Sequence, residues 1–169
     1  MLPELEEHYR LLQLWNKKLN LTSENSLERH YGESVFLAEH LPPGALHVVD
    51  IGSGAGFPGF PVAVVRPDCQ VTLVESHQRK AVFLKEASRP HTNIRVLAKR
   101  AEEIEERFDW AISRGVSYRD LKVNLKRLAA NAALLSGADA PPPELGFDWL
   151  APIPLPGSRQ RFLYVSRET

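Results

Sequence analysis

The stretch Val48-Val49-Asp50-Ile51-Gly52-Ser53-Gly54-Ala55-Gly56-Phe57-Pro58-Gly59 constrains the fold of this chain more than any other. A short apolar run enters closely spaced glycines, and a segment long enough for a helix follows. Strands buried on both faces have this apolar character. Glycine turns the chain through positive φ and lets peptide groups approach a ligand at a helix start. Four further runs read the same way, at 70–75 (QVTLVE), 93–98 (NIRVLA), 109–113 (DWAIS) and 131–136 (NAALLS). Stretches that suit crossover helices, 57–66, 77–88 and 117–128, separate most of them. Alternating strands and helices predict an α/β, doubly wound, mostly parallel sheet with right-handed connections. In such a sheet ligands bind outside the carboxyl ends of the strands.

Two helices are predicted ahead of this core. Leu5, Tyr9, Leu12, Trp15 and Leu19 recur at helical spacing over 3–19, and a second helix over 26–41 has Ser26 as its cap and ends at Pro42-Pro43-Gly44. The tail, FDWLAPIPLP and RFLYVSR around Gly157-Ser158, predicts an antiparallel hairpin whose proline-bearing arm is confined to a sheet edge. With 169 residues, 43% of them apolar and 25% charged, the chain suits one domain, an N-terminal helical extension (1–43) on a doubly wound core (44–169). No run approaches a membrane span, and the acidic start MLPELEEHYR is unlike a signal peptide. The expectation is a cytoplasmic monomer with no membrane partner. A lone Cys69 makes neither an internal disulfide nor a good zinc site, and no metal is expected.

Net charge is zero, yet residues 1–50 hold four basic and eight acidic groups. Seven basic groups against Glu86 lie within 76–100, and five against Asp120 lie within 113–127. If these runs share one side of the fold they attract phosphates; separate solvated helix faces explain them equally well.

The glycines fit two cofactors. Gly54, Gly56 and Gly59 satisfy G-x-G-x-x-G with Glu75 twenty-one residues after Gly54, the spacing of a dinucleotide site, which leaves an NAD-binding oxidoreductase open. Asp50 two residues before Gly52 also gives D-x-G-x-G-x-G, which resembles the first motif of S-adenosylmethionine-dependent methyltransferases. A carboxylate closing the second strand, here Glu75, suits the two ribose hydroxyls of that cofactor.

Beyond the loop, Trp15-Asn16-Lys17-Lys18-Leu19-Asn20-Leu21-Thr22, Arg29-His30 with Ser34, DIGSGAGFPGFPVAVVRP, Arg100-Ala101-Glu102 and Ser113-Arg114 follow in order. This pattern resembles the glucose-inhibited division protein B (RsmG) family of bacterial methyltransferases that modify a guanine N7 in 16S ribosomal RNA. The resemblance implies a Rossmann-like methyltransferase fold with S-adenosyl-L-methionine as cofactor, and 16S ribosomal RNA or the small ribosomal subunit as partner. It places cofactor contacts on Gly52, Phe57, Ala101, Glu102 and Arg114, which join Gly54 and Gly56 of the glycine loop and Glu75 of the second strand as expected cofactor residues. RNA contacts fall on Asn20, His30, Arg100, Arg114, Arg159 and Arg161, with Phe57 or Tyr118 as a stacking ring. Guanine N7 already carries a lone pair, so no catalytic base is expected. The chain departs from the family pattern at Glu33 and Glu75, where aspartate is usual, at Gly115, where alanine is usual, and at Ser136, where lysine is usual. A diverged cofactor-binding protein without methyl transfer is therefore the second alternative.

Overall fold

The computed structural model describes residues 1–19 and 27–169; Asn20, Thr22 and Ser26 lie outside the described residues. The first helix, α1 (Pro3–Leu19), buries the stripe Leu5, His8 and Leu12 and carries Glu4 and Glu6 in its first turn and Lys17 and Lys18 in its last, the polarity that suits a helix dipole. The second, α2 (Leu27–Glu39), buries Tyr31, Ser34 and Leu37 together with the charged Glu33. The core follows as β1 (His47–Ile51), α3 (Gly59–Val65), β2 (Gln70–Val74), α4 (Gln78–Ser88), β3 (Ile94–Leu97), β4 (Phe108–Arg114), α5 (Tyr118–Lys122), α6 (Leu125–Leu128), β5 (Ala129–Ser136), β6 (Ile153–Pro154) and β7 (Phe162–Val165).

The seven strands form one sheet in the order β3-β2-β1-β4-β5-β7-β6. β1 to β5 are mutually parallel, with Asp50 opposite Leu73 on one side and Ile112 on the other. β7 runs antiparallel to β5 and carries the two-residue β6 at the edge, where the proline-bearing arm was expected. The strand order reverses between β1 and β4, which makes the carboxyl ends of these strands the switch point.

Side chains alternate along the strands between two apolar clusters. Val48, Leu73, Trp110 and Ile112 pack with α1 to α4, whereas Val49, Val74, Ala111 and Leu134 pack with α5 and α6. The first face is thickly covered because the two N-terminal helices join the crossover helices there. Cys69 is buried at the entrance to β2. The single helix expected over 117–128 is instead two short ones, broken at Val123-Asn124. Asn124 sits at the break with its side chain buried, bonded to Glu102 and to Arg127.

Candidate active site

At the end of β1 the chain turns through Gly52 (φ 70°) and Gly54 (φ 56°), and the amides of Gly52 and Ser53 both donate to the Val74 carbonyl at 3.0 Å. Gly54 N–H donates to Glu75 Oε1 at 2.8 Å, and His77 N–H donates to Glu75 Oε2 at 2.8 Å. The Glu75 carboxylate is thus fixed by one amide on each oxygen, with lone pairs left over for a further pair of donors. It opens on a crevice of about 440 Å³ that Gly52, Arg100, Ala101, Glu102 and Val116 also line. A Cβ built on Gly54 meets nothing, and one on Gly52 comes within 3.0 Å only of a Val116 methyl, so this half of the loop is open on its crevice side.

The opposite wall is the 3-10 turn Ala101–Glu103. Arg100 N–H donates to Glu103 Oε1 at 3.0 Å, closing the turn on itself. The Arg127 guanidinium reaches under it to the Ala101 carbonyl and to Asn124 Oδ1, both at 2.8 Å, and Asn124 Nδ2 donates to Glu102 Oε1 at 3.4 Å. The carbonyl of Ala101 is therefore already engaged, while Glu102 stays exposed at the crevice. The rim carries Lys99, Arg100 and Arg119 against Glu75, Glu102 and Asp120. Both basic runs thus reach this end of the sheet in part; Arg127 turns inward, and Arg95 pairs with Glu106 at 2.9 Å.

Asp50 sits beneath the loop with no exposed surface. Its Oδ2 accepts the Gly59 amide at 2.9 Å, and Oδ1 has no hydrogen-bond partner among the described residues. Burial pushes this carboxyl up to about 8, against the pull of the Gly59 amide.

The second half of the loop lies on the other side of the turn. Gly56 (φ 106°) and Phe57 do not line the crevice. A Cβ on Gly56 would lie 3.1 Å from His8 Nε2 and 3.3 Å from Phe60, so the bare side of Gly56 faces α1. The Phe57 ring is 5% exposed and packs edge-on against Tyr31 at 4.9 Å, His30 at 5.0 Å and His8 at 5.5 Å. The cause is the cover that α1 and α2 lay over this side of the loop. Tyr118, the other candidate stacking ring, is half-buried, and its hydroxyl donates to the Asp139 carbonyl at 2.6 Å.

The remaining predicted residues separate into two groups. His30 is buried beside Phe57, and Arg114 and Arg161 meet on one buried carboxylate. Glu33, 3% exposed, accepts from Arg114 Nε at 3.1 Å, Arg161 Nε at 2.8 Å and Arg161 Nη2 at 3.0 Å. Two guanidiniums thus share one buried carboxylate beside the end of β4. Arg159 is exposed in the β6–β7 connection, and Asn20 lies outside the described residues. His8 and Arg127 carry structural work that the sequence reading did not single out. His8 sits three residues after Leu5 and four before Leu12, a helical spacing that marks it as buried; no local pattern marks Arg127. Among the described residues no cluster of three metal-ligating side chains occurs, and no helix is long and apolar enough to cross a membrane.

A sequence profile described as rRNA small subunit methyltransferase G matches residues 1–133. The ribosomal RNA small subunit methyltransferase G of Nitrosomonas europaea is 42% identical over 137 residues, covering 75% of this chain and 63% of that protein. That of Nitrosomonas eutropha is 34% identical over 185 residues, covering 96% of this chain and 86% of that protein. The chain thus spans less than two thirds of the first of these relatives. A SAM dependent methyltransferase from Aquifex aeolicus has a similar structure, with a TM-score of 0.65 at 17% identity over 94% of this chain and 97% of that one; at that identity the likeness speaks to the fold.

Proposed function

Because the chain belongs to the rRNA small subunit methyltransferase G family, we propose that it transfers a methyl group from S-adenosylmethionine to N7 of a guanine in 16S ribosomal RNA, free or within the small subunit. The observation that carries this reading is the Glu75 carboxylate, held between the Gly54 and His77 amides at the mouth of the crevice. Its spare lone pairs accept two ribose hydroxyls. The bare Gly52–Gly54 backbone admits the rest of the nucleoside, and Ala101-Glu102 borders the adenine. When bound, the cofactor supplies an activated methyl group on a sulfonium.

The reaction needs no base from the protein, since N7 carries a lone pair and no proton. The chain's task is to align the acceptor and to exclude competing water. Arg114, oriented by Glu33, stands at the end of β4 to hold an anionic group, either the cofactor's carboxylate or an RNA phosphate. Arg100, Arg159 and Arg161 contribute phosphate contacts, as does Asn20, and His30 braces the same end from within α2. Phe57 supports the loop from behind, its ring packed edge-on against His30 and Tyr31.

An NAD enzyme is disfavoured because Gly56 is closed off by His8 and Phe60, which leaves no room for a pyrophosphate against that part of the loop. A cofactor-binding protein without transfer is favoured by one feature, the neutral Ser136 at the end of β5, where a cation would assist RNA binding. Methyl transfer to small-subunit RNA or particles lacking the modification separates the two. Incorporation of one methyl per RNA at guanine N7 is expected; cofactor binding with no incorporation on either substrate overturns the enzymatic reading. RNA affinity should fall steeply between 50 and 200 mM salt, about tenfold or more for a few phosphate contacts.

A further inference from the structure

α1 contributes one polar side chain to the glycine loop. His8 is 2% exposed and lies flat against Phe60, with ring centroids 4.4 Å apart and planes tilted by 24°. Its Nε2 is 2.9 Å from the Ala55 carbonyl, 47 residues along the chain, and its Nδ1 is 2.5 Å from the Tyr31 hydroxyl on α2. A carbonyl only accepts, so Nε2 carries the proton. Burial lowers the imidazole to about 4, which keeps the ring neutral in ordinary buffers, so Nδ1 is an acceptor and the Tyr31 O–H donates to it. Tyr31 remains a donor because burial raises its hydroxyl. The result is a directed chain, Tyr31 O–H to His8 to the Ala55 carbonyl, that ends inside the loop.

That carbonyl belongs to the peptide joining Ala55 to Gly56, one residue on from Gly54, whose own amide orients Glu75. On the other side of the same peptide, Gly56 is bare where His8 enters, at 3.1 Å from the place a Cβ would take. The third glycine of D-x-G-x-G-x-G thus serves the histidine. We propose that His8 is a positioning residue for the cofactor: by donating Nε2–H to the Ala55 carbonyl it fixes the 54–56 peptides, and with them the amide that sets the Glu75 carboxylate. The N-terminal helix is in this way part of the cofactor site without touching the cofactor. The consequence for ligand binding rests on the function proposed above; the consequence for the loop does not.

The test compares His8→Phe, which keeps a ring on Phe60 and removes both hydrogen bonds, with His8→Gln, whose amide can restore the bond to Ala55. Tyr31→Phe, which removes only the hydroxyl, serves if His8→Phe fails to fold. Leu12→Ala on the same helix is the control, since it leaves a cavity and no broken hydrogen bond. Amide exchange is read in the cofactor-free protein at Gly54, Gly56 and Phe57, whose amides bond to Glu75 and to the Ser53 carbonyl, and at Leu73 and Ile112 in the sheet. His8→Phe should speed loop exchange about tenfold with the sheet unchanged, the size of one hydrogen bond. His8→Gln should return it most of the way, and Leu12→Ala should leave the loop unaffected relative to the sheet. Calorimetry with S-adenosylmethionine should show about tenfold weaker binding in His8→Phe and recovery in His8→Gln. Wild-type loop exchange in His8→Phe, or equal loosening by Leu12→Ala, overturns the proposal, as does a loosened loop with unchanged cofactor affinity. If the wild-type chain binds no S-adenosylmethionine, the functional reading fails, and the exchange data still decide whether His8 fixes the loop.

Discussion

The two halves of the glycine loop contain the same residue for opposite reasons. At Gly52 and Gly54 the missing side chain leaves room on the solvent side, and what a Cβ would meet is at most one valine methyl. At Gly56 and Gly59 it leaves room on the protein side: His8 and Phe60 fill the first position, and Leu73 and Asp50 fill the second. The Gly59 site is the tighter, since a Cβ there would lie 2.3 Å from a Leu73 methyl and 2.6 Å from Asp50 Oδ2. One half is shaped for a ligand and the other for the core, so the same substitution should damage different properties in each.

The sharpest test of that division is Gly59→Ala. We expect it to cost about 3 kcal/mol or more of stability, because both clashing neighbours are buried and cannot withdraw. Urea denaturation reads this directly, and a variant as stable as wild type would erase the distinction between the halves. Next comes the histidine behind the core-facing half. With His8 lowered from 6.5 to about 4, the unfolded chain binds its proton more readily, so this contribution is complete above about pH 6.5 and is lost as pH falls towards about 4. At about 1.4 kcal/mol per pH unit, wild type should lose about 3 kcal/mol relative to His8→Phe across that window, measured as the pH dependence of their stability difference. A constant difference would show that the ring is not held neutral by burial.

On the crevice side, Gly54→Asp should leave the fold nearly intact, since aspartate tolerates the left-handed conformation and its Cβ meets nothing. Its carboxylate would stand beside Glu75 in the path of the ligand and weaken S-adenosylmethionine binding about 100-fold by calorimetry. Unchanged affinity would remove the loop's open half from the cofactor site. The smallest effect is expected for Glu75→Gln, about tenfold in affinity, because one acceptor oxygen survives while a charge-assisted bond is lost.

Most of the architecture was legible from local pattern. The five parallel strands, the two leading helices and the closing hairpin were each visible as apolar periodicity or as glycine and proline punctuation, because burial on both faces of the sheet imposes the same residue types on every central strand. Glu75 was legible for a related reason, since the end of the second strand is fixed once the sheet is. The orientation of each glycine was not, because spacing carries no information about which side of the loop a Cα faces. The packing of the Phe57 ring under α1 and α2 was not legible either, because it depends on helices far from it in sequence. The break at Asn124 was hidden because one of its side-chain partners, Glu102, lies 22 residues away in a separate element.

Glu33 ties together parts of the chain that are made far apart in time. Its partners follow it by 81 and 128 residues, and the second is delivered by the last hairpin. During synthesis from the amino terminus, α2 therefore carries an uncompensated carboxylate until Arg114 has emerged and a singly paired one until Arg161 follows, and burying that charge alone is unfavourable. The end of the sheet where Arg114 sits reaches its final electrostatic state only once Arg161 has joined Glu33. A nascent chain arrested before residue 161, with all five parallel strands in place, should hold α2 less tightly than one in which Arg161 has added its two bonds to the one from Arg114.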